Sequence, residues 1–510
     1  MKFYITTPIY YINDVPHIGH SYTTIAADIM ARWKRLKGYD VFFVTGTDEH
    51  GAKIVAAAKE NSKETQNFVD EMSEKFKEAW KLLNISNTDF IRTTDARHVK
   101  SVQNVIQTLF DKGFIYKNKY SALYCVGCEK FISEKDLDEN GNCPDHKTKP
   151  QMKSEENYFF KLSKFQEPLL ERILDPSHKE YIEIQPEERK NEIVGKLKLG
   201  LEDISVSRAA LDWGIAVPFD KSQTIYVWID ALISYLTASY PDANDISKTY
   251  WPADIHLMAK DILWFHSVIW PAVLMAADLP IPKKVYSHGF FTIDSNKMSK
   301  TLGNVISPQE LVDRFGIDEA RYLTVSLIPF GSDGDISWSA LTQKYNTDLA
   351  NNLGNLTSRI NKMLGKYFDF IIPQAAVNLS LFEKVRDILK KDFEPNMDSF
   401  QILKALEALQ SALTLINQQI ESDSPWKLVK TDMEKVKECL FSYIQTLDLI
   451  LIHLLPFMPE ISKKIWLING ANSDIEKTAK DYFANPLEKK IIFSQPQAKV
   501  CAAEVLFPRK

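Results

Sequence analysis

The chain has 510 residues, of which 45% are hydrophobic and 25% are charged, and its formal net charge at pH 7 is −5. These ordinary globular values exclude a mainly disordered chain, a collagen-like repeat and a small disulfide scaffold. At about 150 residues per domain, the length predicts roughly three to four domains. Because proteins that coat DNA without sequence preference are usually basic, any nucleic-acid partner must meet a local patch or stacking side chains.

The first 115 residues alternate between strand-like and helix-like patterns. Residues 3–5 predict a short strand, and between residues 21 and 37 apolar side chains recur at helical spacing. Gly38 follows as a stop signal for that helix. The continuous apolar run 41–44 is typical of a buried parallel strand. This order predicts an α/β fold with a doubly wound, Rossmann-type parallel sheet.

Patterning divides the rest of the chain into four further segments. Residues 116–220 hold clustered cysteines and many Lys and Glu residues, and we predict that they form an insertion. Residues 221–290 return to the α/β character of residues 1–115, and 291–345 form a connecting module. Residues 346–510 are wholly helical in pattern and predict a bundle. The apolar residues that step by four and three at its start are Leu349, Leu353, Leu356, Ile360 and Met363.

Cysteine usage and the absence of long apolar stretches indicate the compartment. Five cysteines, a small and odd number, argue against a disulfide framework and for a reducing environment. The longest apolar stretch, 263–277, is shorter than the ~20 residues that a membrane-spanning helix needs. The N-terminal residues lack the pattern of a signal or transit peptide. We therefore expect a cytoplasmic protein that binds no membrane, with Cys439 and Cys501 as packing residues.

Two histidines precede the first predicted helix, in a run that reads His17, Ile18, Gly19 and His20. Residues three apart at a helix start can present both rings to one side. Free N–H groups and the positive end of the helix dipole at such a position suit a phosphate. Gly19, which lacks a side chain, would let a phosphate or a flat base approach the backbone. Taken alone, the motif is equally compatible with capping and packing, or with a metal-binding pair.

A second run, KMSKT at 297–301, places Ser299 between Lys297 and Lys300 and is followed by LGN at 302–304. Two ammonium groups on a loop that contains glycine can stabilise the charge that develops on a leaving pyrophosphate. On its own, such a run is more typical of a solvated loop.

The two runs in this order resemble the paired HIGH and KMSKS signatures of the class I aminoacyl-tRNA synthetases. Among these enzymes, the sequence is similar to the methionyl-tRNA synthetases over nearly the whole chain. Two positions depart from that family. Thr301 replaces the usual Ser and keeps a hydroxyl, and Ala259 replaces the usual Gly and adds a methyl group that would narrow the nucleotide site. Besides the cysteine cluster, the runs that carry the resemblance are TTPIYYINDVPHIGH, FVTGTDEHG, SRAALDWGIAVP, YVWIDAL, AKDILWFH, KMSKTLGN, NLTSR and SPW.

The resemblance assigns roles to the five segments. It implies that 1–115 and 221–290 are the two halves of a catalytic Rossmann domain and that 116–220 is an inserted connective domain. It also implies that 291–345 is the module of the lysine loop, in contact with the tRNA stem, and that 346–510 is a helical anticodon-binding domain. The implied catalytic and ATP-binding residues are His17, Gly19, His20, Asp261, Lys297, Ser299 and Lys300.

The resemblance also implies a methionine pocket. Asp48 is expected to pair with the α-ammonium group, because a carboxylate after a buried parallel strand lies where α/β sheets bind ligands. Aromatic walls suit a thioether, although an apolar pocket would discriminate weakly against homocysteine. On the residues alone, Asp48 is also compatible with capping the next turn, and the aromatic residues with core packing. The implied methionine-binding residues are Ile9, Tyr11, Asp48, Trp228, Ala231, Leu232, Tyr235, Ile262 and His266.

A metal site is predicted from spacing in the segment 116–220. Cys125 and Cys128 form one pair, and Cys143 and His146 form a second pair after an intervening loop. Four nitrogen and sulfur ligands with no open position indicate a structural Zn²⁺, one per chain. The alternative is a set of thiols without a metal.

Two features of the helical segment point to RNA. Asn355 and Arg359 lie four residues apart, beside the apolar stripe, and should face solvent or a partner. The run 423–426 (DSPW) is a helix start that leaves Trp426 near an exposed end. An exposed Trp beside Arg and Asn suits unstacked bases, and the resemblance implies that these three residues read the CAU anticodon. The alternative is that Trp426 packs against the bundle.

The resemblance implies a two-step reaction that uses Mg²⁺ with ATP. L-Methionine and ATP give methionyl-adenylate, and the 3′-terminal adenosine of tRNA(Met) then takes the acyl group. Positioning and electrostatic stabilisation would carry this catalysis, without a side-chain nucleophile. The chain ends without the appended tRNA-binding barrel of the dimeric members, and we therefore expect a monomer.

Three other classes stay open on the sequence. They are another class I aminoacyl-tRNA synthetase, an HxGH nucleotidyltransferase, and a non-catalytic tRNA-binding protein on the same scaffold. A large insertion like that of the leucine, isoleucine and valine enzymes is absent, and nucleotidyltransferases are shorter chains. The third class is disfavoured because both histidines and both lysines of the paired motifs are present.

Overall fold

A computed structural model describes residues 1–125, 130–132, 137–144, 147–209, 211–240, 249–293, 295–297, 304–485, 493–502 and 505–510, with the backbone alone for 120–122, 130, 131, 153–155 and 297. The predicted site residues Cys128, His146, Ser299 and Lys300 lie outside these ranges. No helix within them is long and apolar enough to cross a membrane.

The predicted strand–helix–strand order at the N-terminus is confirmed. The strand at the start is longer than residues 3–5, because it continues past Pro8 through a register shift between Thr6 and Ile9 that tolerates a residue without an N–H group. Gly38 follows the first helix with a φ of +82°, a conformation that favours glycine. The elements are β1 (Lys2–Tyr11), α1 (Ile18–Leu36), β2 (Asp40–Asp48), α2 (Ala52–Glu60), α3 (Thr65–Leu82), β3 (Asp89–Arg92) and α4 (Ala96–Asp111).

The next segment is mostly antiparallel. Its strands form one sheet of order β5-β4-β6-β8 and another of order β10-β11-β9. A three-residue strand, β7, instead pairs in parallel with β13 of the central sheet. The elements are β4 (Ile115–Cys125), β5 (Lys130–Ile132), β6 (Gln151–Phe160), α5 (Gln166–Leu174), β7 (Glu183–Gln185), α6 (Glu187–Lys198), β8 (Ile204–Ser205), β9 (Ser207–Ala209), β10 (Ala216–Val217) and β11 (Asp220–Ile225).

The chain then returns to the central sheet and passes into a connecting module. A 3₁₀ turn (Lys260–Ile262) and a π-helical segment (Phe265–Ile269) lie between β12 and α8. The elements are α7 (Val227–Ala238), β12 (Ile255–Ala259), α8 (Trp270–Ala276), β13 (Lys284–His288), β14 (Phe291–Ile293), β15 (Asn296–Lys297), α9 (Pro308–Phe315), α10 (Ile317–Ser326), β16 (Gly334–Ile336) and α11 (Trp338–Lys344).

The central sheet is parallel and has the order β3-β2-β1-β12-β13-β7. From β1, the chain builds β2 and β3 on one side, and it later builds β12 and β13 on the other. The order therefore reverses between β1 and β12. In open α/β sheets a ligand-binding crevice forms at this point, outside the carboxyl ends of the strands.

The C-terminal region is helical, as predicted. Leu349, Leu353, Leu356 and Ile360 of the predicted stripe are buried, and Met363 is partly buried. The helices are α12 (Asn355–Phe368), α13 (Leu379–Ile388), α14 (Glu394–Asp398), α15 (Ile402–Asp423), α16 (Pro425–Leu428), α17 (Met433–Leu454), α18 (Pro459–Ile468) and α19 (Ile475–Ala484), with π-helical segments at Tyr345–Gly354 and Leu389–Phe393.

The two isolated cysteines differ in environment. Cys439 is buried in α17, as expected for a packing residue. The same expectation is wrong for Cys501, which is exposed. It lies in the irregular segment 493–502, where no helix face directs its side chain inward.

A fully buried ion pair joins α1 to α10 of the segment 291–345. Asp28 of α1 and Arg321 of α10 lie 2.7 Å apart, and both side chains have no exposed surface. Arg321 also donates to the carbonyl oxygens of Leu83, Pro456 and Phe457, so its charge is well solvated by the protein. Burial would raise the pKa of the Asp28 carboxyl, but the Arg321 and Arg32 guanidiniums lower it to about 2.

We predict that Arg321→Ala lowers the free energy of unfolding by about 3–5 kcal/mol, because it leaves a buried carboxylate without its main partner. Urea unfolding followed by circular dichroism measures the change. The matched control is Lys391→Ala, which removes the exposed pair with Asp387 and should leave the unfolding midpoint unchanged. If the unfolding midpoints of both variants shift by the same small amount, the buried pair is no more important for stability than the exposed pair.

Candidate active site

The carboxyl ends of β1, β2 and β12 bring predicted site residues together at the point where the strand order reverses. Tyr11 at the end of β1 and Asp48 at the end of β2 are register partners. Asp48 is 5% exposed. Ala259 ends β12, directly before the turn that contains Asp261 and Ile262. The edge therefore gathers residues from segments about 200 positions apart in the sequence.

His17 and His20 stack at the start of α1, with ring centroids 3.9 Å apart. The Nδ1 atom of His17 accepts the N–H of Gly19 at 3.1 Å, and the Nδ1 atom of His20 accepts the N–H of His17 at 3.2 Å. Burial lowers the pKa of both rings, and for His20 the neighbouring His17 lowers it further. Both rings are therefore neutral at pH 7, and since each Nδ1 is an acceptor, each Nε2 carries the proton.

The expectation of free N–H groups at this helix start is wrong. The N–H of Ile18 donates to the Ile306 carbonyl oxygen at 2.8 Å. The His17 side chain accepts from the first turn in a capping box with His20, and the N–H of Ser21 binds the His17 carbonyl oxygen. The two Nε2–H groups and the positive end of the dipole are therefore what this helix start could offer to an anion.

The segment that follows the lysine loop contacts the same helix start. Residues 298–303 lie outside the described ranges. The strand β15 before them ends at Lys297 and pairs with β14. After the loop, Ile306 makes its backbone hydrogen bond to Ile18, the residue that follows His17. The structure therefore places the segment that follows the lysine loop against the start of α1.

The residues of the predicted methionine pocket pack together. They come from β1, α7 and the segment after β12. Apart from Asp48, the predicted pocket has eight residues, and seven of them belong to one apolar cluster or line it. Those seven are Ile9, Tyr11, Trp228, Ala231, Leu232, Tyr235 and Ile262. The Trp228 ring stacks on Phe265 with centroids 4.1 Å apart.

His266, the eighth residue, is held by two hydrogen bonds. Its Nδ1 lies 3.0 Å from the carbonyl oxygen of Ile262, and its Nε2 lies 2.8 Å from the Tyr235 hydroxyl. Because a carbonyl only accepts, Nδ1–H donates to Ile262, and the Tyr235 hydroxyl donates to Nε2. Burial lowers the pKa of His266 to about 4. The ring is therefore neutral at pH 7, as an apolar pocket requires.

Ala259 lies at the end of β12, and Asp261 lies in the turn that follows it. Asp261 is exposed in the turn after β12. Ala259 has φ −78° and ψ 159°, an extended conformation that any residue adopts. Replacement of the family's glycine by alanine therefore causes no backbone strain at this position.

Two of the four predicted zinc ligands are described, and they meet. Cys125 at the end of β4 and Cys143 are both buried in one small cluster with Ile132. Cys128 and His146 lie outside the described residues. Among the described residues, no group of three metal-ligating side chains forms.

The predicted RNA-contacting residues also lie together. Trp426 is 40% exposed, and the Arg359 guanidinium lies 6.0 Å from the centre of its ring. Arg359 also pairs with Glu421 at 2.6 Å. Beside them runs an open groove of about 480 Å³, to which Asn355 contributes. The other residues that line the groove are Thr347, Asn351, Asn352, Arg359, Thr414, Asn417, Gln418 and Glu421.

Comparisons with known proteins agree on one family. The model described as "tRNA synthetases class I (M)" matches residues 3–149 and 139–361. Methionine–tRNA ligase of Caldanaerobacter subterraneus is 44% identical over 99% of this chain and 78% of its own length, and that of Thermotoga maritima is 43% identical over 95% and 77%. The crystal structure of Mycobacterium tuberculosis methionyl-tRNA synthetase with methionyl-adenylate superposes with a TM-score of 0.92, at 35% identity and full coverage of both chains.

The chain belongs to the methionyl-tRNA synthetase family. The structure also reveals polar contacts that our sequence analysis missed. Glu49 forms a paired hydrogen bond with Arg92 at 2.7 and 2.9 Å, and Trp213 donates to the Glu49 carbonyl oxygen at 2.6 Å. His50 and Asp230 lie 2.7 Å apart. The runs FVTGTDEHG and SRAALDWGIAVP contained the signal, since charged and aromatic residues stand there between apolar stretches.

We predict that His20→Ala lowers the rate of methionyl-adenylate formation by about 10²–10³-fold, because it removes a fixed donor to the developing charge. Stopped-flow fluorescence or pyrophosphate exchange measures this rate. The matched control is His178→Ala, since Nδ1 of His178 likewise accepts a backbone N–H, that of Glu180, but does so in the loop between α5 and β7. An equal loss of rate in both variants would refute the role of His20.

Proposed function

We propose that the chain is a methionine–tRNA ligase, which activates L-methionine with ATP and transfers it to the 3′-terminal adenosine of tRNA(Met). The observation that carries this proposal is the similarity to methionine–tRNA ligases over 99% of the chain. The crevice supports it, since a buried carboxylate, an apolar pocket and two stacked imidazoles converge on the carboxyl edge of the sheet.

In the first step, a methionine carboxylate oxygen attacks the α-phosphorus of ATP, and the bond to pyrophosphate breaks. We propose that Asp48 holds the ammonium group and that the pocket around Tyr235 and His266 holds the thioether. Mg²⁺ would enter with the triphosphate and neutralise part of its charge. The reaction needs no side-chain nucleophile, because oriented reactants and fixed charges can carry it.

The phosphates are the proposed ligands of the two motifs. The Nε2–H groups of His17 and His20 would donate to phosphate oxygens, and Gly19 leaves room beside them. Lys297, Ser299 and Lys300 would neutralise the leaving pyrophosphate from the loop, and Asp261 would contact the nucleotide. The backbone hydrogen bond between Ile18 and Ile306, at the junction of the two motifs, supports this assignment.

In the second step, a hydroxyl of the terminal adenosine attacks the carbonyl carbon of the adenylate, and AMP leaves. The test of the whole proposal is ATP–pyrophosphate exchange with each of the twenty amino acids. We expect strong exchange with methionine alone among them. Exchange with another amino acid as the best substrate would indicate a different class I synthetase, and no exchange at all would indicate a non-catalytic RNA-binding protein.

We propose that the insertion binds one structural Zn²⁺ through Cys125, Cys128, Cys143 and His146. The donor set fits this ion, because thiolates and an imidazole at this spacing form closed tetrahedral zinc sites. The burial of Cys125 and Cys143 in one cluster supports the assignment. The ion would hold the β4 end of the insertion together and take no part in the chemistry.

Elemental analysis of protein prepared without chelator should find about one zinc per chain, since a closed four-ligand site retains its metal. Cys128→Ala should lose most of the metal. Cys439→Ala is the matched control, because Cys439 is buried in α17 far along the chain, and it should keep the zinc. Wild-type protein without zinc would overturn the proposal.

We propose that Asn355, Arg359 and Trp426 read the anticodon. The exposed Trp426 ring offers a stacking surface, and the groove beside it is lined by amides that can hydrogen-bond base edges. We further propose that 1–115 and 221–290 form one catalytic domain, with 116–220 as its insertion, 291–345 as the lysine-loop module and 346–510 as the anticodon-binding domain. The chain would work as a monomer in the cytoplasm, where reducing conditions preserve zinc-binding thiols; light scattering after gel filtration tests its oligomeric state.

Trp426→Ala should reduce aminoacylation of tRNA(Met) by about 5- to 150-fold, the equivalent of the ~1–3 kcal/mol that one stacked base contributes. Methionine-dependent pyrophosphate exchange should not change. Leu467→Ala, which removes another exposed apolar side chain of the helical region, serves as the control and should affect neither activity. An equal loss of both activities in the Trp426 variant would contradict the assignment.

A further inference from the structure

A buried carboxylate with two imidazole partners lies behind the proposed methionine pocket. One oxygen of Asp230 is 2.7 Å from Nδ1 of His50, and the other is 2.7 Å from Nε2 of His98. All three side chains are less than 10% exposed, and those of Asp230 and His98 are almost fully buried. Burial would raise the pKa of the Asp230 carboxyl, but its contacts with His50 and His98 hold the pKa below the ordinary value.

This cluster connects the two walls of the crevice. His50 stands two residues after Asp48, in the loop that follows β2. Asp230 lies on α7 between Trp228 and Ala231, two residues of the proposed methionine pocket that belong to or line the apolar cluster. The contact between His50 and Asp230 therefore joins the segment that carries the proposed ammonium partner to the helix that carries the apolar wall.

The loop after β2 is held firmly on its other sides. The Glu49 carboxylate binds Arg92 through two hydrogen bonds. The Trp213 indole donates to the Glu49 carbonyl oxygen at 2.6 Å, and the Trp213 carbonyl oxygen accepts the N–H of Gly51. These contacts fix Glu49 and Gly51, the residues on either side of His50. The imidazole of His50 can therefore transmit the position of α7 to this loop without deforming it.

We propose that His50 and Asp230 are positioning residues that set the distance between the Asp48 carboxylate and the apolar wall of the methionine pocket, with His98 fixing the orientation of Asp230. This inference rests on the proposed function. L-Methionine would be held at two ends, by its ammonium group and by its thioether. A change in the spacing of these anchors weakens both at once, whereas the nucleotide contacts, which come from α1 and the lysine loop, stay in place.

Variants of His50 and Asp230 distinguish a loss of positioning from general damage to the protein. His50→Leu keeps a similar volume and removes the donor, and His50→Gln keeps an N–H donor for Asp230. Asp230→Asn keeps the shape of the side chain and leaves one oxygen acceptor in place of two. The matched control is His453→Leu, which removes another fully buried histidine, in α17, whose Nδ1–H donates to the Leu449 carbonyl oxygen.

Pyrophosphate exchange gives the KM for methionine and for ATP. The inhibition constant of L-methioninol measures binding at the ammonium and thioether anchors without the reaction. We expect His50→Leu and Asp230→Asn to raise the methionine KM and the methioninol inhibition constant by about tenfold or more, since small misplacements of anchoring groups have effects of this size. The ATP KM and kcat should stay within about twofold, as for the loss of uniform binding. His50→Gln should restore most of the methionine KM, and His453→Leu should match the wild type.

The outcomes distinguish this inference from the proposed function. Wild-type protein without methionine-dependent exchange would overturn the function itself. A methionine KM within about twofold of the wild type in both His50→Leu and Asp230→Asn would overturn the positioning role alone. Equal increases in the KM for methionine and for ATP would also overturn it, because they indicate general damage. If His50→Leu does not fold, Asp230→Asn and His50→Gln still decide between these results.

Discussion

The buried ion pair between Asp28 and Arg321 holds helix α1 against α10. The N-terminal end of this helix carries the two stacked histidines at the crevice. Its middle binds α10 through the fully buried ion pair, and near its end Trp33 and Lys34 bind Asp398 of α14. A single helix therefore extends from the proposed phosphate site to the helical region. Breaking its central pair would disturb the relative placement of both parts.

The crevice combines uncharged donors with a few fixed charges. The imidazoles of His17, His20 and His266 are neutral because burial lowers their pKa values. Hydrogen bonds fix which ring nitrogen carries the proton in each, so the direction of every donor is set before a ligand binds. Preorganised donors cost little reorganisation when charge develops on a phosphate. In the proposed function, the carboxylate of Asp48 supplies the charge that the ammonium group needs.

Sequence patterns predicted the features that depend on residues close together in the chain. The β1–α1–β2 unit follows from apolar runs and a glycine stop, the pairing of His17 with His20 follows from their spacing, and the buried stripe after residue 346 follows from helical periodicity. Contacts between distant segments could not be predicted in this way. Strand β7 has three residues, too few to show a pattern, and no spacing rule links His50 to Asp230, 180 positions away. The hydrogen-bond partners of the N–H groups in the first turn of α1 could not be predicted either, because one of these groups binds the carbonyl oxygen of Ile306 in another segment.

The central claim is that the histidines of α1 and the lysines of the loop at 297–301 bind the same triphosphate. A crystal structure of the chain with L-methionine and a non-hydrolysable ATP analogue tests it most directly. We expect Nε2 of His20 and the ammonium group of Lys300 to lie about 3 Å from oxygens of one phosphate chain. A phosphate chain that contacts only one of the two motifs, or that lies away from the carboxyl edge of the central sheet, would contradict it.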